Sequence, residues 1–351
     1  MGSGRIQRIL AAALAALLLA GVAAPGLAGA QGVYIVQPGD TLAGIAAGNG
    51  TSVAALVAAN GIANPNLVYS GQRLALPGEG TSTPRVQQVA LPAAGPGSIL
   101  AHERIVEYYG NPYSAEMGIL GQLSKAELVS ALQRRAAQYA AVTGGTVQPA
   151  IHMVVTVAQA GAGSDGLYRA RMPLGVVEDY ANLAGANGML FFIDIQLGRS
   201  TVQAELAPWL DLLKRPYVHL AIDPEFDMWG SEVPGVDFGH MTAAEVNYVQ
   251  GVLSGLVSQY SLPNKIFEIY QFTPGMLPDK GNIARNANVD LVVNMDGFGS
   301  QWLKIQHYNW YVRDTPVEYA GIKLFFDQDP DLMTPAQVLS LDPKPDIIMY
   351  Q

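Results

Sequence analysis

Asp223, Pro224 and Glu225 close the apolar run that begins at Val218, and this pair of acids two residues apart is the sharpest chemical signal in the sequence. Residues two apart on an extended strand share a face. If Asp223 faces a pocket, Glu225 faces it too, one step further along. Crowding and burial raise the proton affinity of such carboxyls, so one can serve as a general acid while its neighbour tunes it. Five other apolar runs end in the same manner. One closes on Asp194-Ile195-Gln196, one carries Glu268 and ends Tyr270-Gln271, and one ends Asn294-Met295-Asp296. Another ends Phe326-Asp327-Gln328-Asp329, and the first carries Glu107 and ends Tyr109-Gly110-Asn111. A single acid at such a place can be a helix N-cap. A recurring set is the kind of cluster that handles protons, cations or sugar hydroxyls.

Other chemistries find less support. His102, His152, His219, His240 and His307 are scattered, with no H-E-x-x-H, and there is no cysteine. No metal or other cofactor is therefore expected. No G-x-S-x-G elbow occurs for a serine nucleophile. Asp327, Asp329 and Asp331 alternate like a calcium loop but lack its glycine and terminal Glu, so they read as solvated loop charges. Aromatic residues accompany the acids. Trp229, just after the Asp223/Glu225 pair, is placed to stack on a sugar ring. Trp302 and Trp310 lie in a helical pattern and read as core packing.

Elements that would position these residues recur along the chain. Eight β-rich runs lie at 104–109, 151–158, 189–196, 218–225, 265–272, 291–296, 322–327 and 346–350. Helical patterns separate them at 124–139, 173–184, from 201, and at 242–260, with weaker ones at 282–288, 301–311 and 334–339. Ser124 and Glu127 have capping-box spacing. Apolar strands alternating with helices predict a parallel sheet covered by helices. Eight repeats favour an α/β fold of the (β/α)8 TIM-like barrel type, whose active site sits at the C-terminal ends of the strands. An open doubly wound sheet is the alternative, weakened by the lack of a Gly-rich phosphate loop. The sequence reaches Gln351 just after the eighth run, so the last helix is lacking. Residues 98–103 or the segment before them are expected to cover that part of the wall.

The chain begins with Arg5 and Arg8, an apolar run and Ala28-Gly29-Ala30, the pattern of a signal peptide over residues 1–30 with Gln31 as the first mature residue. An uncleaved anchor is the alternative. No later run is long enough to span a bilayer, so no membrane contact is expected after cleavage. The full chain has 20 Lys and Arg against 29 Asp and Glu, and of these the leader holds only Arg5 and Arg8. No basic stripe appears, which argues against nucleic acid. Residues 78–97 are rich in Gly, Pro, Ser, Thr and Ala and read as a flexible linker before a second domain at 98–351.

Between them, residues 33–77 carry a strand, Gly39-Asp40-Thr41-Leu42, two short helical patterns, Asn64-Pro65-Asn66-Leu67 and a closing strand at Gln72-Arg73-Leu74. This stretch resembles a LysM module, a βααβ domain that binds N-acetylglucosamine-containing glycans such as peptidoglycan or chitin. The resemblance implies glycan contacts at Gly39, Asp40, Thr41, Leu42, Asn64, Pro65, Asn66 and Leu67. Asp-x-Glu at the end of the fourth strand is similar to the sites of barrel chitinases and lysozymes, which implies that Glu225 is the proton donor. Two further acids of the chitinase motif are replaced by His219 and Ala221. The phrases DPEFDMW, IYQFTP and NMDGFG also resemble an uncharacterised family of exported bacterial barrels, which implies no activity.

The expectation is a secreted, cell-wall-associated glycoside hydrolase tethered by LysM. Glu225 and Asp223 lead the catalytic set, with Asp194, Glu268, Asp296 and Asp327 sharing the roles of nucleophile, base and sugar ligand. Gln196, Trp229, Tyr270, Gln271 and Asn294 are the expected substrate contacts. The rival is a non-catalytic wall-binding protein whose barrel only binds glycan.

Overall fold

The structure, a computed structural model, describes residues 30–37, 40–60, 62, 68, 72–77 and 97–351. The expected leader and linker lie outside them, apart from Ala30 and Gly97. The described residues fall into two compact units. Among them no helix is long and apolar enough to cross a membrane.

The smaller unit is βααβ. Strand β1 (Ala30–Ile35) pairs antiparallel with β2 (Arg73–Pro77), with Tyr34 opposite Leu74. Helices α1 (Leu42–Gly48) and α2 (Val53–Asn60) come between them in the chain. Thr41 caps α1 by accepting a hydrogen bond from the Gly44 N–H at 3.1 Å. Asn60 ties α2 to β2: its side chain accepts from Ala75 N at 2.7 Å and donates to Ala75 O at 3.0 Å. Val36, Leu42, Ile45, Leu56 and Leu74 form the core.

The larger unit is a closed eight-stranded parallel barrel. Strands β3 (Arg104–Gly110), β4 (Val147–Ala158), β6 (Leu190–Ile195), β7 (Val218–Ile222), β8 (Lys265–Gln271), β9 (Val289–Met295), β10 (Tyr319–Leu324) and β11 (Ile347–Tyr350) pair in chain order. The ring closes where Ile347 of β11 meets Ile105 of β3. The short β5 (Arg169–Arg171) pairs antiparallel with the end of β4 and makes a hairpin. Closure removes both sheet edges and rules out the open-sheet alternative.

Helices α3 (Lys125–Thr143), α4 (Leu174–Ala186), α5 (Val202–Leu206), α6 (Leu210–Leu213), α7 (Ala243–Tyr260), α8 (Gln301–Tyr308) and α9 (Pro335–Val338) supply the outer layer. Capping boxes start α3 at Ser124/Glu127 and α7 at Thr242/Glu245. Outward strand residues such as Val106, Ile151, Ile193, Leu220, Phe267 and Ile322 pack with these helices in one large core.

Two expectations about the wall need correction. No α-helix forms over 282–288, where Lys280–Asn282 is a single 3-10 turn. The polar face of α7 captures that backbone instead. Gln250 donates to Ala284 O at 2.8 Å, Asn247 accepts from Ala284 N at 2.8 Å, and Asn288 donates to Ser254 Oγ at 3.0 Å. The first two satisfy the Ala284 backbone without helical bonds, and the third anchors the Asn288 side chain. Nor do residues 98–103 cover the outer wall beside β11. Leu100 instead packs with Ile105, Ala150, Leu190, Ile266, Val292 and Ile347 and plugs the N-terminal end of the barrel. The wall by β11 is covered in part by α3, where Arg135 stands 4.5 Å over the Tyr350 ring and Tyr139 OH meets Tyr350 OH at 2.8 Å. Leu100→Ala should destabilise the barrel by about 2–5 kcal/mol, the usual loss for a buried leucine, read by chemical denaturation. A change within about 0.5 kcal/mol, as at a surface site, would show that Leu100 is no plug.

Inward residues change character along the barrel. The apolar plug gives way to Glu107, His152, Glu268 and Asn294, all buried, and then to the C-terminal mouth. Gly321 makes room for this polar layer. A Cβ there would lie 2.9 Å from Asn294 Cβ, so β10 can offer no side chain at that level.

Candidate active site

A cleft of about 460 Å³ opens at the C-terminal ends of the strands, the face on which barrels of this type carry their sites. Its polar lining includes Gln196, Asp223, Glu225, Asp296 and Lys323; Tyr109, Phe226, Phe272, Phe298 and Phe325 supply aromatic faces. Gln159 and Arg171, from the β4–β5 hairpin, form part of the rim.

Local backbone explains how Asp223 and Glu225 reach the same cleft. β7 stops at Ile222, and Pro224 begins a 3-10 turn over Pro224–Phe226. Asp223 N–H still donates to Ile195 O at 3.1 Å, so β6 holds Asp223 at the mouth. Its Oδ2 accepts a long bond from Gln196 Nε2 at 3.4 Å, while Gln196 Oε1 accepts from Ala158 N at 3.0 Å. Glu225 is fixed through its backbone oxygen, which accepts from Gly239 N at 2.8 Å. Its Oε2 has no hydrogen-bond partner among the described residues.

Electrostatics separate the three acids of the cleft. Burial, then the charge of Asp296, pushes Glu225 up to about 8. Burial and the neighbouring Glu225 raise Asp223 well above the usual carboxylate range. Asp296 is also raised by burial, but Lys323 opposes the rise with an ion pair at 3.0 Å. At neutral pH Glu225 thus keeps its proton, beside the Lys323–Asp296 ion pair. Lys323 was not foreseen. Its Nζ stands 3.9 Å over the Tyr109 ring, and a lysine between Ile322 and Leu324 in an apolar strand was the available signal.

The other expected residues divide. Asp194, Glu268, Tyr270 and Asn294 point into the barrel below the cleft lining and are fully buried. His152 joins them: Nδ1 lies 2.8 Å from Glu107 Oε2 and Nε2 lies 3.1 Å from Asp194 Oδ2. Asn294 donates to Glu268 Oε1. These residues support the floor and do not line the cleft. Gln271 points away: it donates to Thr273 O at 3.2 Å and accepts from Lys280 at 2.9 Å.

Asp327 is exposed outside the lining; Asp329 takes the inward place and pairs with Lys304 at 3.0 Å. Trp229 is 45% exposed and stacks on His240, with Nε1 donating to His240 O at 3.1 Å, so it is held outside the cleft. Trp310, expected in the core, is 47% exposed. A turn after a strand has no fixed periodicity, which is why Asp327 and Trp229 were misplaced.

In the smaller unit, Leu42 is buried core and Thr41 is a cap. Asp40 accepts from Tyr34 OH at 2.8 Å and Gln37 N at 2.7 Å, which shapes its loop. Gly39, Asn64, Pro65, Asn66 and Leu67 lie outside the described residues.

The molecule is thus an eight-stranded α/β barrel with a carboxyl-lined cleft, joined in one chain to a βααβ unit. Residues 34–77 match the LysM domain family and are a LysM domain, the class of module that binds N-acetylglucosamine-containing glycans. Among solved structures the chain is similar to the Bacillus megaterium QM B1551 spore cortex-lytic enzyme SleL, at 11% identity and a TM-score of 0.34, over 84% of this chain and 62% of that one. It is also similar to the Bacillus cereus spore cortex-lytic enzyme SleL, at 12% identity and a TM-score of 0.34, over 86% of this chain and 66% of that one. The chain spans less than two thirds of the length of these enzymes, and at such scores the likeness carries no argument about activity. No curated protein matches the sequence.

Proposed function

We propose that the protein is a secreted, wall-associated glycoside hydrolase that LysM holds on peptidoglycan or a chitin-like polymer. One observation carries the catalytic part: Glu225 lines the cleft with a carboxyl that stays protonated to about pH 8. In this reading Glu225 gives its proton to the glycosidic oxygen as the C–O bond breaks, and water then adds its oxygen to the freed sugar carbon and returns a proton to Glu225. Asp223, whose proton affinity burial and Glu225 raise, orients the substrate's acetamido group. Asp296 faces the positive charge that develops on the sugar, and the aromatic walls take the apolar faces of the rings. Tethering raises the local substrate concentration without adding catalytic contacts.

The Lys323–Asp296 pair favours a second reading, a barrel that binds glycan without cutting it, because the lysine offsets the anion that the reaction uses. Incubating the full chain with purified peptidoglycan and with chitin oligomers decides between them. The hydrolase produces new reducing ends, with a rate that declines as pH rises through about 8, where Glu225 loses its proton. Absence of product from these polymers and from a broad glycan panel leaves the second reading. Secretion is tested by N-terminal sequencing of exported protein, which should begin at Gln31.

A further inference from the structure

Below the cleft, the two nitrogens of His152 face different carboxyl groups. Nδ1 is 2.8 Å from Glu107 Oε2, and Nε2 is 3.1 Å from Asp194 Oδ2. Tyr270 OH lies 2.8 Å from the same Nε2 and donates to Asp194 Oδ2 at 3.0 Å. A bare ring nitrogen facing a carboxylate oxygen at these distances would set lone pair against lone pair. Each line therefore needs a proton, and a neutral imidazole carries one N–H, not two; the charges of Glu107 and Asp194 on either side hold the second proton on the ring. All three side chains are fully buried, so water cannot relieve the contact. The ring itself is held flat against Phe192, with centroids 5.2 Å apart and an interplanar angle of 6°.

We infer that His152 is a positioning residue: an imidazolium clamped between Glu107 and Asp194 that, with Tyr270, fixes the Asp194 carboxylate beneath the Asp223 and Glu225 carboxyls. The catalytic consequence rests on the proposed hydrolase reading; the clamp itself does not. Asp194 is joined to the mouth through its own strand. Gln196, two residues on, reaches Asp223 Oδ2 at 3.4 Å. The charge on Asp194 adds to the upward push on both Asp223 and Glu225. Burial pulls His152 down, but Glu107 and Asp194 outweigh it and hold the ring near 10.

The groups facing this ring come from every side of the interior. β3 brings Glu107 and Tyr109, β6 brings Asp194, and β8 brings Tyr270 and Glu268, whose Oε2 is 3.8 Å from Nδ1. β10 brings Lys323, over the Tyr109 and Tyr270 rings. Glu107, His152 and Glu268 also place donor atoms within 4.8 Å of one another, a spacing that could hold a cation. The 2.8 Å approach of Nδ1 to Glu107 is a hydrogen-bond distance and favours the proton.

Imidazole nitrogen NMR on the full chain, labelled at histidine, tests the clamp. The His152 signals are assigned by difference from His152→Gln. Two N–H groups should persist to at least about pH 9, well above the ordinary histidine range. Glu107→Gln removes one flanking charge and should lower the His152 titration by about one to three pH units. In that variant the pH–rate curve of glycan cleavage should change shape over the range where His152 now titrates. Simple structural damage would lower the rate without altering the curve's shape. A neutral ring at pH 7 in the wild type, or loss of the Nδ1 proton when zinc is added, would overturn the inference. If Glu107→Gln fails to fold, the wild-type spectrum still decides. If the wild type cleaves no glycan, only the hydrolase reading falls.

Discussion

Glu225→Gln should lower reducing-end release from peptidoglycan or chitin oligomers by about 10²–10⁴-fold, the usual share of a general acid, while wall binding through LysM stays as in the wild type. The substitution keeps the shape of the side chain and replaces its acid by an amide that cannot give up a proton. Position and proton affinity both point to this residue. It lines the cleft, and burial followed by the charge of Asp296 raises it to about 8. A normal carboxyl would be ionised at neutral pH and could not donate. The same shift provides a folding control. A carboxyl whose folded value is raised binds its proton more tightly in the folded state than in the unfolded one. Its contribution to stability is therefore full below about 4.5, the ordinary value, and is lost as pH rises through about 8. Gln does not ionise, so the variant's melting temperature should decline less than the wild type's between those limits. Activity lost together with a melting temperature that collapses at every pH would mean damage, not loss of an acid. Activity retained within about threefold would remove Glu225 from the acid's role.

Part of this site was legible because strand periodicity is strict: inward and outward positions alternate along each apolar run. Asp223 and Glu225 do line one cleft, but the 3-10 turn that begins at Pro224 brings Glu225 there, not the strand period from which the pairing was expected. Periodicity does not give depth. Asp194, Glu268 and Asn294 face inward as their runs suggest, yet they sit a layer below the cleft, because depth depends on the register between strands. His152 was visible only as an isolated histidine in an apolar run. Its partners, Glu107 and Asp194, lie 45 and 42 residues away, and closure of the barrel brings them together. The helix expected at 282–288 failed for a related reason: the side chains of α7, far off in the chain, satisfy that backbone.

Lys304→Met should cost about 3–5 kcal/mol of barrel stability in chemical denaturation, the usual loss when one member of a buried ion pair is removed. Lys304 is 1% exposed, pairs with Asp329 at 3.0 Å, and donates to Gly297 O and Lys323 O at 2.7 Å each. Asp329 in turn accepts from Gly299 N and Phe325 N, both at 2.9 Å. The pair therefore ties the segment after β9 to the end of β10, the two places that carry Asp296 and Lys323 into the cleft. Methionine fills a similar volume but leaves the Asp329 charge buried and two carbonyls without a donor. Burial lowers Lys304 to about 8 even with Asp329 beside it, so the charged pair carries a large desolvation cost of its own. For that reason Lys304→Met with Asp329→Asn should recover most of the loss seen in the single variant. If the single variant costs less than about 1 kcal/mol, the range of exposed pairs, the pair does not hold these two segments. If the double variant is no better than the single one, the lost bonds to the Gly297 and Lys323 carbonyls, and not the stranded charge, set the stability of this side of the cleft.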